Sequence, residues 1–144
     1  MLTGLWFEGS RKEGNDSAAC GKKGSATRSL VRRWLDSYFA GVAPDWVPPM
    51  RLGGATPFRR MVSEEMKRLP FGTVVTYGDI AKRIAAKLGE VRMSAQAVGG
   101  AVGWNPICII IPCHRVIGAG GKLTGYGGGL KNKIALIKHE GVEL

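Results

Sequence analysis

A cysteine and a histidine stand side by side in the run Pro112-Cys113-His114-Arg115-Val116. The apolar stretch 107–111 before it has the composition of a buried strand, and Pro112 cannot donate to a sheet ladder, so we expect the strand to end there. The next side chain, that of Cys113, is then expected to face a loop or pocket. A base close to a thiol produces the thiolate that acts as a nucleophile. The pattern therefore favours a nucleophilic cysteine, with a buried structural cysteine as the alternative.

Further motifs accompany this run, in order, between Thr56 and Glu140. They are Phe71-Gly72-Thr73-Val74 with Thr76-Tyr77, Ala97-Val98-Gly99-Gly100-Ala101, Asn105-Pro106, Gly125-Tyr126 with Gly128-Gly129-Leu130, and His139-Glu140-Gly141. In content, order and spacing, the set resembles the O6-alkylguanine-DNA alkyltransferase family of suicidal DNA repair proteins. The resemblance implies irreversible alkyl transfer from O6-alkylguanine in DNA to Cys113, with O4-alkylthymine as a further candidate substrate. It implies no cofactor and no metal.

The resemblance assigns roles to five residues around the thiol. Cys113 is the nucleophile and alkyl acceptor, His114 the general base acting through a water molecule, and Glu140 the carboxylate that orients the imidazole. A free thiol has a pKa of about 8.5, so thiolate formation near neutral pH needs such a base. Asn105 is expected to tie together the loops around the cysteine, and the Tyr126 hydroxyl to assist the leaving guanine at N3. Without the resemblance, Glu140 would be interpreted as a solvated charge and Asn105 as part of an Asx turn.

A second group of residues is expected to hold the DNA and the damaged base. Tyr77 is similar to the family tyrosine beside the phosphate 3′ of the target nucleotide, which promotes rotation of that nucleotide out of the duplex; packing at the start of a helix is the alternative. Val102 and Val116 are expected to wall the alkyl pocket, and Gly127 and Gly128 to let the backbone approach the base. The predicted DNA contacts are Tyr77, Arg92, Ser94, Ala95, Gln96, Gly99 and Gly100.

The predicted recognition helix, 95–103, has few bulky side chains. Glycine in a helix interior costs up to about 1 kcal/mol relative to alanine, so Gly99 and Gly100 need a reason. Close helix packing is one. The other, which the resemblance implies, is insertion of a bare helix into the narrow minor groove. Where the family places an arginine in the emptied base stack, this chain has Gln96, which lacks the charge and the planar guanidinium. Arg92 is a candidate to compensate.

The charge of the chain favours a polyanionic partner. Its 144 residues carry 21 Lys and Arg against 11 Asp and Glu, a net charge of +10. Residues 1–50 hold seven basic and five acidic side chains, a net +2, and residues 51–144 hold 14 and six, a net +8. The excess lies in the half that holds Cys113, which is the pattern expected for binding double-stranded DNA.

The cysteine and histidine content restricts the class of protein further. Cys20, Cys108 and Cys113 have no paired spacing, and the chain has two histidines. This argues against a disulfide framework and a zinc site, and favours a reducing cytoplasm. The apolar runs are shorter than the ~20 residues of a membrane helix, and the N-terminus has no signal-peptide pattern. We therefore expect a cytoplasmic monomer with no membrane partner.

The pattern along the chain predicts two units in an α/β protein. Residues 1–50 are expected to form a shortened, ribonuclease H-like N-terminal α/β domain with a Pro-rich linker, and residues 51–144 a mainly helical, winged-helix-like DNA-binding domain. The predicted elements of the first unit are a strand at 2–7, a loop at 9–27, a helix at 29–39 and a linker from 42 to 54. Those of the second are a helix capped by Thr56, a helix at 77–88 with a Thr76–Asp79 capping box, and a helix at 95–103 capped by Ser94. The last two form a helix-turn-helix.

Three other functions compete with alkyl transfer. A non-enzymatic lesion sensor of the alkyltransferase-like type carries another residue at the nucleophile position, commonly Trp, so Cys113 disfavours it. A helix-turn-helix transcription regulator needs base-reading side chains, which the helix at 95–103 lacks. A Cys-His hydrolase fits neither the order nor the spacing of the motifs.

Overall fold

The computed structural model describes residues 1–8, 25–123, 126 and 128–143. Within them, helices surround a small parallel sheet. The helices are α1 (Ser25–Phe39), α2 (Pro57–Lys67), α3 (Tyr77–Leu88), α4 (Ala95–Trp104) and α5 (Leu130–His139), the strands are β1 (Val75–Thr76) and β2 (Val116–Ile117), and Cys113–Arg115 and Ala119–Gly121 form 3-10 turns. The mixed helix-and-sheet class predicted from the sequence is therefore confirmed.

Local capping signals place the starts of α2 and α3 as predicted. The Thr56 hydroxyl accepts from the Arg59 amide at 3.2 Å, ahead of Pro57 in the first turn. Thr76 and Asp79 form a reciprocal capping box: the Asp79 amide donates to the Thr76 hydroxyl at 3.0 Å, and the Thr76 amide donates to the Asp79 carboxylate at 2.9 Å. These bonds from Thr76 lower the pKa of Asp79. The box fixes Tyr77 as the first residue of α3.

A tight turn separates α3 from α4. Gly89 ends α3 with φ of 68°, a left-handed conformation that glycine adopts without steric cost. The Ser94 hydroxyl then accepts from the Ala97 amide at 3.1 Å and starts α4. The predicted pair of short helices joined by a turn is confirmed.

The two strands join the start of α3 to the segment that carries the thiol. β1 and β2 are parallel, with Val75 opposite Val116 and Thr76 opposite Ile117. The sequence analysis did not predict this pair. Two residues are too few for an alternating pattern to appear, but the pairing holds Tyr77 close to the chain that follows Cys113.

The predicted strand over 107–111 is wrong. Residues 108–110 form a turn, in which the Ile110 amide donates to the Cys108 carbonyl at 2.8 Å, and Ile109 has φ of 68°. Only Ile107 makes a bridge, to Leu5. A short apolar run predicts burial, and burial is what the five residues share; a folded turn can satisfy that requirement as well as a strand.

The N-terminal segment also differs from its prediction. In place of a strand at 2–7, two isolated parallel bridges form, Leu2 with Met50 and Leu5 with Ile107. The segment changes partner between these bridges, so no continuous ladder develops. Helix α1 begins at Ser25, four residues before its predicted start and inside the predicted loop. The rest of that loop, with Cys20, lies outside the described residues.

One cluster of buried apolar side chains joins these elements. Trp34 and Tyr38 of α1 belong to it, together with residues of α2, α3, α4, α5 and the 107–111 turn. Helix α1 therefore packs on the same core that surrounds Cys113. The division of the chain into units at residue 50 stays a prediction.

Candidate active site

The thiol of Cys113 lies inside the protein, at the start of the 3-10 turn Cys113–Arg115 and not at a strand end as predicted. Its residue is 4% exposed. Pro112 precedes the turn, and the Arg115 amide donates to its carbonyl at 3.0 Å. The turn points three consecutive functional side chains, Cys113, His114 and Arg115, into the buried interior.

Asn105 holds the chain that leads to the thiol. Its side-chain nitrogen donates to the carbonyls of Ile107 and Ile111, each at 3.0 Å, and its side-chain oxygen accepts from the Ile107 amide at 3.1 Å. The residue is fully buried. These three bonds satisfy backbone groups that a strand would have paired in a ladder, and so fix the folded turn before Cys113.

His114 and Glu140 form a buried hydrogen-bonded pair. His114 Nε2 contacts Glu140 Oε2, and both side chains are almost completely excluded from solvent. In a neutral imidazole, the nitrogen that donates to a carboxylate carries the proton, which leaves the other nitrogen as an acceptor. His114 Nδ1 is buried and has no hydrogen-bond partner among the described residues. It is therefore able to accept a proton.

Glu140 accepts hydrogen bonds at both carboxylate oxygens. Oε1 accepts from the Gly72 amide at 2.9 Å and from Arg115 Nε at 2.7 Å, while Oε2 accepts from the Tyr38 hydroxyl at 2.7 Å in addition to contacting His114. Burial alone would raise the pKa of this carboxyl group. The hydrogen bonds from His114 and Arg115 outweigh burial and, with the Gly72 amide, hold the pKa at about 2. Glu140 is a fixed negative charge at any neutral pH.

A phenol and an ammonium group lie near the thiol. Burial raises the pKa of Tyr126 well above its ordinary value, and the neighbouring sulfurs of Cys113 and Cys108 raise it further. The Tyr126 hydroxyl makes no hydrogen bond of regular geometry with any described residue, and it stays protonated. Lys133 of α5 is buried, and its Nζ donates to the Val116 carbonyl at 2.7 Å. Burial lowers the pKa of Lys133, and the charge of Cys113 opposes that shift.

A cleft of about 530 Å³ opens on the surface where α3 and α4 meet. Its lining residues are Thr76, Tyr77, Gly78, Ala95, Gln96, Gly99 and Ala119. Cys113 does not line the cleft. Tyr77 connects the two regions, because its ring lies 5.9 Å from Lys133 Nζ, at the same distance as the ring of Tyr126.

Comparison with known proteins assigns this arrangement to a family. Residues 57–142, more than half of the chain, match the model of the 6-O-methylguanine DNA methyltransferase, DNA binding domain. The chain belongs to the 6-O-methylguanine DNA methyltransferase family. It is 47% identical over 106 residues to the methylated-DNA–protein-cysteine methyltransferase of Mycobacterium bovis, which covers 74% of this chain and 61% of that protein. With the protein of the same name from Salmonella typhimurium it is 40% identical over 131 residues, 91% of this chain and 71% of that protein.

Solved structures of the family support the assignment. A crystal structure of Mycobacterium tuberculosis OGT in complex with DNA is 46% identical, has a TM-score of 0.69, and covers 78% of this chain and 66% of that one. This member of the methyltransferase family thus spans about three-fifths of the length of the mycobacterial relatives it matches.

The structure brings the five predicted catalytic residues of this methyltransferase-family chain into one region. A continuous network of contacts connects four of them, Asn105, Cys113, His114 and Glu140. The fifth, Tyr126, lies at the sulfur of Cys113. Val102 and Val116 are buried in the same core cluster as Cys113. Gly127 lies outside the described residues.

The predicted DNA contacts divide between the cleft and the surrounding surface. Tyr77, Ala95, Gln96 and Gly99 line the cleft. Ser94 caps α4, while Arg92 and Gly100 are exposed beside it. An added Cβ would lie 3.9 Å from Tyr77 at Gly99 and would meet nothing within 4 Å at Gly100. Close helix packing therefore does not explain the two glycines, because neither position is crowded.

Gly128 has a packing reason that its predicted role did not include. A Cβ at this position would lie 2.7 Å from Phe7 and 2.8 Å from Tyr126. The rings of Phe7 and Tyr126 meet edge to face at 6.3 Å. Glycine at 128 therefore lets the N-terminal segment close over the phenol beside the thiol.

Sequence analysis missed two residues of this site. The sequence predicts the helix at 29–39 that carries Tyr38, but no local pattern marks the Tyr38 hydroxyl as part of the site. Lys133 was not assigned at all, because a lysine is ordinarily solvated and no local pattern marks a buried one. In the structure, Lys133 lies on the inward face of α5, seven residues before Glu140.

The described residues hold no cluster of three or more histidine, cysteine or acidic side chains suited to a metal ion. Among the helices described, none has the length and apolar character needed to cross a membrane.

Proposed function

We propose that this protein repairs DNA by transferring the alkyl group of O6-alkylguanine irreversibly to Cys113, once per molecule. The observation that carries the proposal is the geometry around a buried thiol: an imidazole held by a carboxylate through Nε2, with Nδ1 left to accept a proton. The family assignment supplies the substrate class, since the matched relatives are named methylated-DNA–protein-cysteine methyltransferases. Retention of the cysteine argues against a lesion sensor.

Transfer would proceed by displacement at carbon. His114 Nδ1 takes the thiol proton through a water molecule, and Glu140 balances the imidazolium charge. The sulfur of Cys113 then bonds to the alkyl carbon as the carbon–O6 bond breaks. The electron pair of that bond stays on the guanine, which takes up, through solvent, the proton that His114 removed from the thiol. The protonated Tyr126 hydroxyl donates a hydrogen bond as charge develops on the base.

The neighbouring ammonium would favour the reactive form of the sulfur. A thiolate in a buried site is costly unless a positive charge or a hydrogen bond compensates it. Lys133 provides the positive charge, which leaves the Tyr126 hydroxyl to donate to the base. The product is a thioether, which has no route back to a thiol, so the protein acts as a reagent and not as a turnover catalyst.

Recognition would require the damaged nucleotide to leave the duplex. A base within a stack cannot bring its O6 substituent to a thiol that is 4% exposed, so flipping at a cost of a few kcal/mol is needed. We assign the cleft at α3 and α4 to the minor groove, with Tyr77 beside the rotating nucleotide and Gln96 at the emptied stack. Lys82 and Arg83 of α3, and Arg92 just before α4, are exposed positive charges that favour contact with phosphates.

The remaining features of the proposal follow the family. We propose a monomer that acts in the cytoplasm, with a winged-helix-like DNA-binding unit and a ribonuclease H-like unit before it. Intact-mass measurement after incubation with duplex DNA containing O6-methylguanine tests the reaction. The expected result is a gain of one methylene mass per molecule, and none in Cys113→Ala. A repeated gain on one molecule, or none in the wild type, would reject the proposal.

A further inference from the structure

A tyrosine from the N-terminal helix completes the hydrogen-bonding shell of the relay. Tyr38 lies 102 residues from Glu140 in sequence, and its hydroxyl donates to Glu140 Oε2 at 2.7 Å. His114 Nε2 contacts the same oxygen. Tyr38 is completely buried, and it belongs to α1, outside the segment 57–142 that matches the family's DNA-binding domain.

The ring of Tyr38 is held on several sides. It stacks on Trp34 with centroids 5.5 Å apart and planes 10° apart, and it meets Phe71 edge to face at 5.8 Å. His139, the residue before Glu140, donates from Nε2 to the Tyr38 carbonyl at 2.8 Å, since a carbonyl only accepts. The hydroxyl therefore has a fixed position, and Oε2 is held between two donors.

Sharing one carboxylate oxygen between two donors has two consequences. The hydroxyl fixes the rotation of the carboxylate, and with it the plane of the His114 ring. It also draws charge from Oε2, so less negative charge remains to stabilise an imidazolium. Tyr38 is always the donor in this bond. Burial, and to a smaller extent the hydrogen bond to Glu140, raise the pKa of Tyr38 far above its ordinary value. Tyr38 stays a donor throughout the neutral range.

We propose that Tyr38 is a positioning residue for alkyl transfer, which sets the orientation and the proton affinity of the His114–Glu140 pair from helix α1. This inference rests on the proposed function. It makes the N-terminal helix a part of the active site. Among the described residues, the titratable and charged groups that contact or adjoin the pair are Arg115 and Cys113 on the 3-10 turn, His139 at the end of α5, and Tyr38 on α1. Lys133 of α5 lies near Cys113.

Tyr38→Phe tests the hydroxyl alone, since it keeps the ring and its stacking. Single-turnover methyl transfer is measured from pH 5 to 9 on duplex DNA containing O6-methylguanine. Without the second donor, Oε2 holds the imidazolium more strongly, so the midpoint of the acid limb should move up by about 0.5 to 1 pH unit. At a pH on that limb, transfer should then slow by about 3- to 10-fold. Val31→Ala, which weakens the packing of α1 at a buried position two turns before Tyr38, should lower the thermal midpoint without moving the acid limb.

A second variant keeps the test possible if Tyr38→Phe does not fold. Site-specific 3-fluorotyrosine at position 38 keeps the hydroxyl and makes it a stronger donor, so the acid limb should move in the opposite direction. An acid limb that does not move in either Tyr38 variant, or that moves equally in Val31→Ala, would overturn the role of Tyr38.

The function and the inference fail in different ways. Absence of methyl transfer in the wild type would reject the function. The ring N–H resonance of His114, one of two histidines in the chain, still reports the coupling by NMR. A changed chemical shift of this proton in Tyr38→Phe supports the coupling, and an unchanged shift rejects it.

Discussion

Arg115 Nε and Glu140 Oε1 form a buried ion pair at 2.7 Å, which ties the turn that carries the thiol to the end of α5. Arg115 also donates to the Leu69 carbonyl through Nη1 at 2.6 Å and so connects the pair to the chain after α2. The same carboxylate orients His114. Stability and chemistry therefore depend on one side chain.

Replacing Glu140 by glutamine should destabilise the fold by about 3 kcal/mol at pH 7, because His114 and Arg115 lose the charge that compensates their burial. The expected loss is measured by urea unfolding. Glu143→Gln, at an exposed glutamate three residues away, is the matched control and should leave the unfolding midpoint unchanged. A loss of the same size in both variants would contradict the account.

The Glu140 carboxylate should also dominate acid unfolding. Its pKa is about 2 in the folded chain against an ordinary 4.5, so between these values the unfolded chain binds a proton that the folded chain does not. Its stabilising contribution is complete above pH 4.5 and is lost as pH falls towards 2. Unfolding free energies measured from pH 6 to 3 should fall less steeply in Glu140→Gln than in the wild type. Parallel pH curves would exclude this assignment.

Lys133→Met should slow methyl transfer near neutral pH by on the order of tenfold, because the thiolate loses a buried positive charge. The limb on which the rate rises with pH, as the thiolate forms, should move to higher pH. Stability should change by less than about 3 kcal/mol, since removal of a buried charge offsets the unpaired Val116 carbonyl. Lys131→Met, on the exposed side of α5, is the control. Equal rates for wild type and Lys133→Met would show that the ammonium does not act on the sulfur.

Gly100→Ala separates the two explanations of the glycines in α4. A Cβ fits at this position, so alanine should stabilise the fold by about 0.5–1 kcal/mol. If α4 enters the minor groove, the added methyl group should nevertheless weaken binding to duplex DNA and leave reaction with free O6-benzylguanine unchanged. Fluorescence anisotropy and single-turnover rates give both quantities. Tighter DNA binding in the variant would argue against insertion of α4.

Gln96→Arg should accelerate transfer from duplex DNA more than transfer from single strands or from free O6-benzylguanine. A guanidinium can fill the space that the flipped base leaves in the stack, whereas a free base needs no flipping. Gln96 lines the cleft and is exposed, so arginine fits without disturbing the core. Single-turnover rates on the three substrates decide: equal acceleration on all of them would reject a role of position 96 in flipping.

The parts of the fold that sequence predicts are those set by local interactions. The starts of α2, α3 and α4 follow from Thr56, the Thr76–Asp79 box and Ser94, because a cap acts within three residues. The turn over 107–111 was predicted as a strand, since its fold depends on the Asn105 side chain and not on periodicity. The two-residue strand pair and the hydroxyl bond of Tyr38 join residues far apart, and no local pattern encodes them.

Mass mapping of the transferred group tests the central claim most directly. Duplex DNA carrying O6-trideuteromethylguanine is incubated with the wild-type protein, which is then digested with trypsin. The peptide 93–115 contains both Cys108 and Cys113, so fragmentation within it has to locate the label. We predict one trideuteromethyl group per molecule, on the sulfur of Cys113, and unmodified guanine restored in the DNA. Label on Cys108 or elsewhere, or restored guanine with no label on the protein, would contradict the account.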